Sequence, residues 1–409
     1  MNFRYLYSDL KKHLSNKNHT ILTGARQVGK TSLLRQLYTS LRDEKEDVIF
    51  LNLENKEILS NLNKDVMSVF KLVKNSPLKI IEGKTTNRIY LLIDEIQYLD
   101  DPTNFLKFIY DEFEYNVKVV CTGSSAFYID TKFKDSLAGR KRIFQLYPLS
   151  FNEFLIFKKQ EKINSEISHI VSEPDYKTLY GVSMESLLRE YLMYGGYPAV
   201  VLEDNYTEKK HLLIELKNSY LRRDILESGV DKEAKFLMLV KLLADQIGNM
   251  VNKNELAKTL GLDNKTVERY VYILEKCFHI DMVKPFHKNL RKELVKMSKV
   301  YFNDVGLRNA ILNRFENIHE RHDKGEVLEN FVYTQLRIKH QDGGIHYWRT
   351  SDGNEVDFVI EESYEKGYAI EVKWNKKRFS PNKYKKFVKT YPTFPLSCID
   401  FEDNNILSY

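Results

Sequence analysis

The chain has 409 residues, 43 % of them apolar and 29 % charged, with a formal net charge of +6. That length exceeds what one hydrophobic core serves and predicts several domains, while the composition excludes a disordered or fibrous protein. No run approaches the ~18 apolar residues of a membrane span, Met1–Lys12 lacks a leader pattern, and Cys121, Cys277 and Cys398 form no CxxC pair; a cytoplasmic protein with no membrane partner and no cysteine zinc site is expected.

In chain order, the short apolar strand Thr20–Thr23 runs into Gly24-Ala25-Arg26-Gln27-Val28-Gly29-Lys30-Thr31, and the helix Ser32–Leu41 follows with Leu33, Leu34, Leu37 and Leu41 on one face. This is GxxxxGK[ST] in its strand–loop–helix setting. Phosphates need unpaired backbone N–H groups at a helix N-terminus, and glycine lets the backbone come close. Gly24 through Ser32 are therefore expected to bind ATP, with Lys30 on the β- and γ-phosphates and Thr31 on Mg²⁺. Ile89–Ile93 is a continuous apolar run, as a strand buried on both faces requires, and it ends in Asp94-Glu95. Asp94 is expected to hold Mg²⁺ through water and Glu95 to polarise the attacking water. A third strand, Val117–Cys121, ends in Thr122-Gly123-Ser124-Ser125. A helix around Phe127–Leu137, the segment Ala138-Gly139-Arg140 and the strand Ile143–Tyr147 complete this third of the chain.

Gly24–Thr31, Leu91–Glu95, Thr122–Ser125, Ser136–Arg140 and Tyr194-Gly-Gly-Tyr-Pro198 together resemble the prokaryotic AAA+-like P-loop ATPases that carry a C-terminal domain of unknown function. The resemblance covers essentially the whole chain and implies an ATPase. It further implies that Thr122 or Ser124 senses the γ-phosphate, and that Arg140, with Arg142 behind it, serves a neighbouring subunit of a homo-oligomer. Pro198 would pack on the adenine.

The helical segments Ser183–Tyr194 and Glu208–Leu226 suit an all-α lid, and Tyr220-Leu-Arg-Arg-Asp224 recurs in the resembled group. Phe236–Ile247, Lys253–Leu260 and Asn264–Cys277 read as three helices, and His279–Val283 with Lys299–Phe302 as a hairpin. That order predicts a winged helix, with Lys265 and Arg269 facing a DNA groove. Glu268 between them is a poor phosphate neighbour, which leaves a purely structural winged helix open.

In the last third, Glu355-Val-Asp357-Phe-Val-Ile360 is answered by Ala369-Ile-Glu371-Val-Lys373-Trp374. Side chains alternate along strands, so Asp357, Glu371 and Lys373 share a face if the strands pair. Two carboxylates can hold Mg²⁺ and the lysine can orient water. The pattern resembles the D…ExK core of the PD-(D/E)XK nuclease-like fold over roughly residues 324–399. In that fold an upstream helix often adds an acid, and Glu329 fits, with Val332, Tyr333 and Leu336 following at helical spacing. Lys373–Lys389 holds eight Lys/Arg and no acid, and Lys284–Lys299 holds six with one Glu, which suggests a polyanion partner such as DNA or else two solvated faces.

The expected fold is thus α/β: a parallel-sheet ATPase core (1–155), a helical lid (156–230), a winged helix (231–310) and a nuclease-like α/β domain (311–409). Two function classes follow. One is an ATPase acting on DNA through a metal-dependent nuclease domain. The other is a signalling or assembly ATPase whose silent C-terminal domain binds a protein partner.

Overall fold

The computed structural model describes residues 4–71, 88–113, 116–123, 137–172, 180–287, 297–341 and 343–401. They fall into two compact units, Met1–Tyr147 with Lys276–Phe278, and Pro148–Glu275 with His279–Tyr409. The first runs α1 (Leu6–His13), β1 (His19–Gly24), α2 (Lys30–Asp43), β2 (Asp47–Asn52), α3 (Lys56–Lys64), α4 (Ser68–Lys71), β3 (Ile89–Asp94), α5 (Pro102–Phe113), β4 (Val117–Gly123) and β5 (Lys141–Leu146). The strands form one parallel sheet in the order β2-β3-β4-β1-β5, typical of AAA+ proteins.

Burial follows sequence. The central strands β1 and β4 are buried at every residue, whereas the edge strands β2 and β5 mix buried and exposed positions. Continuous apolar runs thus go to the middle of a covered parallel sheet and mixed ones to its rims. The register Leu22↔Thr122 on β1–β4 and Ile93↔Cys121 on β3–β4 brings Gly24, Asp94 and Thr122 to the same edge of the sheet, at the C-terminal ends of the strands. That edge is where open α/β sheets bind ligands.

The second unit begins with helices: α6 (Phe151–Phe157), α7 (Glu161–Ser172), α8 (Gly181–Tyr194), α9 (Pro198–Leu202), α10 (Tyr206–Glu227), α11 (Glu233–Asp245), α12 (Lys253–Leu260) and α13 (Asn264–Lys276). The antiparallel pair β6 (Ile280–Val283) and β7 (Lys299–Phe302) follows, then α14 (Val305–Leu312) and α15 (Lys324–Lys339). β8 (Ile345–Arg349), β9 (Glu355–Ser363), β10 (Lys366–Lys373), α16 (Lys385–Thr390) and β11 (Leu396–Asp400) end the described chain. The last four strands form a mixed sheet ordered β11-β10-β9-β8, with β10–β11 parallel and the other pairs antiparallel.

The motif Tyr194–Pro198 has a packing role. Gly195 adopts φ +73°, and a Cβ there would lie 2.3 Å from an Asp304 carboxylate oxygen. Gly196 donates its N–H to Asp304 Oδ2 at 2.7 Å, and Asp304 Oδ1 accepts the N–H of Leu307 at 2.7 Å, capping α14. A Cβ on Gly306 would lie 2.1 Å from the Tyr194 carbonyl oxygen. Asn309 completes the joint by donating to the carbonyls of Leu192 and Met193 at 2.9 and 3.0 Å. The glycines let α8 and α14 meet end to end around one buried carboxyl. Pro198 opens α9, where its fixed φ and missing N–H cost nothing.

Candidate functional sites

Gly24 has φ +148°, and a Cβ on it would lie 2.1 Å from the Leu146 carbonyl oxygen, so only glycine lets β1 turn into the loop beside β5. Gln27 and Gly29 also adopt positive φ, +56° and +101°. Gly29 is the N-cap of α2 and offers no side chain to its first turn, which leaves the helix end to an anion. The Lys30 ammonium donates to the carbonyls of Gly24 and Ala25 at 2.9 and 2.7 Å. Thr31 Oγ1 donates to the Asp94 carboxylate at 2.9 Å. Thr122 Oγ1 donates to Asp94 Oδ1 at 2.5 Å and accepts the Glu95 N–H at 3.0 Å. Glu95 itself takes φ +60°, a strained value for a side-chain-bearing residue, and its carboxylate accepts from Gln97 Nε2.

The arrangement suits a nucleotide with Mg²⁺. A hydroxyl and a carboxylate already in contact are the oxygen donors that such an ion uses, and the loop offers a helix N-terminus and an ammonium. Sequence reasoning missed Arg4. Its buried guanidinium donates to Val28 O at 2.8 Å and Tyr147 O at 2.7 Å, fixing the loop from behind.

The second cluster is assembled from four segments. On β7, Lys299 and Tyr301 point the same way. Asn330 on α15 pairs with Phe302 through both backbone groups at 2.8 Å, which docks the helix against the strand. Glu329 then accepts from Tyr301 Oη at 2.6 Å and from Lys299 Nζ at 3.2 Å. Lys299 Nζ also lies 2.5 Å from Glu355 Oε1 and 3.8 Å from Asp357 Oδ1. The β9–β10 register Phe358↔Ile370 sets Asp357 across from Glu371. Val372 N–H donates to Asp357 Oδ2 at 2.8 Å and Asp357 N–H to Glu371 Oε2 at 3.4 Å. Lys373 Nζ is 3.9 Å from Asp357 Oδ2 and is ion-paired to Glu371.

Four carboxylates thus face two ammoniums in a largely buried site. Burial, then the Asp357 charge, pushes the Glu329 carboxyl up to about 8 and the Glu371 carboxyl up to about 7. Burial alone would lower Lys299, but Glu329, Asp357 and Glu355 outweigh it and hold its ammonium above the usual range. Among the described residues no three Asp, Glu, His or Cys side chains converge as ready ligands of one metal ion. Asp357 is instead shared, with Lys299 on its Oδ1 side and Lys373 on its Oδ2 side. The expected joint metal set of Glu329, Asp357 and Glu371 is not assembled in this arrangement, because ammoniums lie among the acids. The donor chemistry still suits a divalent cation, since all the donors are oxygens.

Residues 16–155 match an AAA domain, 185–317 a domain of unknown function (DUF8612), and 324–405 another domain of unknown function (DUF4143). The chain carries an AAA-family ATPase domain. It is 28 % identical over 394 residues to an uncharacterized protein of Methanocaldococcus jannaschii, covering 91 % of this chain and 80 % of that one. An uncharacterized protein of Haemophilus influenzae is 28 % identical over 355 residues, covering 84 % and 80 %. Among solved structures, the Orc1 protein of Aeropyrum pernix in complex with DNA aligns at TM-score 0.32 and 13 % identity, covering 75 % of this chain and 91 % of that one. DnaA of Aquifex aeolicus bound to AMPPCP aligns at TM-score 0.30 and 16 % identity, covering 67 % and 88 %. Likeness at that level carries no function across.

Within the AAA domain, Thr122 is used to orient Asp94 and the Glu95 backbone, and Ser124 lies outside the described residues. Arg140 is ion-paired to Asp111 at 2.9 Å, with its guanidinium 5.7 Å from the Tyr110 ring centroid. It precedes the β5 residue that pairs with His19, so it lies at the opposite end of β1 from Gly24, about 20 Å along the strand, and cannot serve its own loop. Arg142 lies over the Phe144 ring at 4.8 Å.

In the second unit, Arg269 is about half exposed, with its guanidinium engaged at the end of α10. It donates to the carbonyls of Ser228 and Gly229 at 3.2 and 2.7 Å and pairs with Asp231 at 3.5 Å, because the end of α10 leaves carbonyls that a guanidinium satisfies. In Tyr220–Asp224, Asp224 holds buried His279 at 2.6 Å and Arg223 pairs with Glu227 at 2.9 Å. The basic run after Lys373 is exposed over Lys377–Arg378, whereas residues 288–296 of the other basic segment lie outside the described residues.

Proposed function

We propose that this chain binds and hydrolyses ATP with Mg²⁺ as a homo-oligomer, and that its second unit binds DNA and cleaves it at a metal-dependent site around Asp357, Glu371 and Lys373. The observation that carries the second half is that Asp357 and Glu371 lie on one side of the sheet, both within 4 Å of the Lys373 ammonium. In the first unit, Lys30 would exchange its carbonyl partners for phosphate oxygens, Thr31 and Asp94 would hold Mg²⁺, and Glu95 would polarise the attacking water. Thr122 and Arg4 are positioning residues. Arg140 would act on a neighbouring subunit after leaving Asp111. In the second unit Mg²⁺ would supply charge neutralisation at the phosphodiester, and the Lys373 ammonium would orient water.

The helices α11–α13 with the β6–β7 pair have the element order of a winged helix, and we assign DNA contact to this segment together with the basic run after Lys373. The deciding experiment measures ATP turnover and Mg²⁺- or Mn²⁺-dependent DNA cleavage by the purified chain. Turnover without DNA binding or cleavage, under either metal, favours the second reading: a signalling or assembly ATPase whose C-terminal domain holds a protein partner. Two observations speak for that reading, the Lys299 ammonium among the acids and the engagement of Arg269 with Ser228, Gly229 and Asp231.

A further inference from the structure

A lysine at 1 % exposure on a strand buried along its whole length requires a reason, since an ammonium is rarely taken out of water without partners. Lys299 has three: Glu329 at 3.2 Å, Glu355 at 2.5 Å and Asp357 at 3.8 Å, arriving from α15 and β9. It also lies 5.6 Å from the Tyr347 ring centroid. Lys373 already fills the lysine position of the D…ExK pattern, on the other side of Asp357. Lys299 comes from a separate segment, and nothing in that pattern accounts for it.

We infer that Lys299 is a resident cation in the position a divalent ion would take between Glu329, Glu355 and Asp357, so that metal enters this side of the cluster only when the β7 ammonium withdraws. This rests on the metal-dependent reading of the same cluster. Three carboxylate oxygens within 4 Å of one nitrogen are the surroundings of a small hard cation, and an ammonium and a metal ion cannot both occupy them. The other charged groups facing this position are accounted for. Arg349 pairs with Glu355 at 2.8 Å from the far side, and Lys373 is engaged by Glu371 and the opposite oxygen of Asp357.

The lysine is also tied to the helical half of its unit. Lys299 pairs with Val283 in the β6–β7 ladder. Its neighbour Val300 accepts the Gly248 N–H at 2.9 Å, and Ser298 accepts the Val251 N–H at 2.8 Å, both from the turn after α11. Glu329 abuts the same turn, where a Cβ on Gly248 would lie 3.2 Å from its carboxylate oxygens. Whatever displaces β7 or this turn therefore alters metal affinity, and bound metal biases the same elements in return.

The test is Mn²⁺ binding to the full chain, followed by electron paramagnetic resonance and calorimetry, in wild type, Lys299→Met and Lys299→Arg. Removing a positive charge about 4 Å from the acids should tighten Mn²⁺ by about tenfold or more in Lys299→Met. Lys299→Arg, which keeps the charge, should bind no more tightly than wild type. Equal affinity in wild type and Lys299→Met overturns the inference while leaving the metal-dependent reading standing. Folded protein that binds no Mn²⁺ in any form overturns both. Should Lys299→Met fail to fold, amine acylation of wild type decides, read at Lys299 by peptide mass spectrometry. Labelling should rise as Mn²⁺ saturates the protein, and unchanged labelling with Mn²⁺ bound overturns the inference.

Discussion

The two candidate sites hold their lysines in opposite ways. Lys30 rests on two neutral carbonyl oxygens, which a phosphate outcompetes because it brings charge as well as acceptors. Lys299 and Lys373 rest on carboxylates in a buried setting, where only another cation offers the acids comparable compensation. The first site is ready for its ligand, and the second is already neutralised in part by its own chain. The difference teaches that a complete set of acidic residues is a weaker sign of activity than a complete phosphate loop. The variants below probe that contrast, from the largest expected effect to the smallest.

Lys30→Ala should abolish ATP hydrolysis and weaken nucleotide binding, because it removes the phosphate-facing charge of the loop. Glu95→Gln keeps the shape and the Gln97 contact region but loses the charge that polarises water, so it should retain ATP and stall turnover. Fluorescent-nucleotide binding and phosphate release check both, and normal turnover in the two variants removes the assignment of this site.

Asp357→Ala should eliminate metal-dependent DNA cleavage while ATP hydrolysis continues, since the carboxylate lies in the other compact unit. Lys373→Ala should lose cleavage but keep Mn²⁺ binding, because lysine is not a ligand. Cleavage that survives Asp357→Ala sinks the phosphodiester reading and leaves the ATPase domain untouched.

Asp304 supplies an effect of intermediate size. Burial raises its carboxyl from 3.8 to about 6 despite N–H donors from Gly196, Leu307 and Gly306. The folded chain therefore holds this proton more tightly than the unfolded one. Its stabilising contribution is full below pH 3.8 and is lost as pH rises through 6, a change of about 3 kcal/mol in order of magnitude. Asp304→Asn should flatten unfolding free energy against pH in that window, as denaturant titrations would show. A slope there equal to that of wild type assigns the titration to another group.

Legibility in the sequence divides along the same line. The phosphate loop is contiguous and sits between a strand and a helix, so its residues and the acids at the end of β3 were readable from local pattern, whereas Thr122 was pointed to by the family resemblance. Alternation along β9 and β10 also placed Asp357, Glu371 and Lys373 together, and the resemblance to the nuclease-like fold, with helical spacing, pointed to Glu329. Lys299 ends a basic segment whose composition points to a polyanion or to solvent, and neither it nor Tyr301 was legible as a partner of the acids, which they reach only through the Asn330 joint to β7. Arg4 was missed for the same reason: a lone arginine near the N-terminus carries no signal until its carbonyl partners are known. Tyr194–Pro198 was visible as a motif, but its service to Asp304, more than a hundred residues downstream, was not. Helical spacing gives Arg269 an exposed position, but it cannot reveal that the end of α10 offers this side chain carbonyls.

The smallest expected effect separates the two basic regions proposed to meet DNA. Lys377 and Arg378 are exposed on the turn after β10, beside the acid cluster, whereas Arg269 is engaged with Ser228, Gly229 and Asp231. A side chain that contacts phosphate releases condensed counterions on binding, and each lost contact lowers the slope of log affinity against log salt by about 0.9 for duplex DNA. Lys377→Ala with Arg378→Ala should therefore reduce that slope by nearly two and weaken binding most at low salt. Arg269→Ala should leave the slope unchanged and instead lower thermal stability by about 1 kcal/mol, the scale of a lost helix-end hydrogen bond. Fluorescence anisotropy with one labelled duplex at several salt concentrations distinguishes them. If Arg269→Ala reduces the slope and the double variant does not, DNA contact rests on the three-helix segment alone. Asp357 would then lie apart from the contacting surface, and its cluster would be better read as structural.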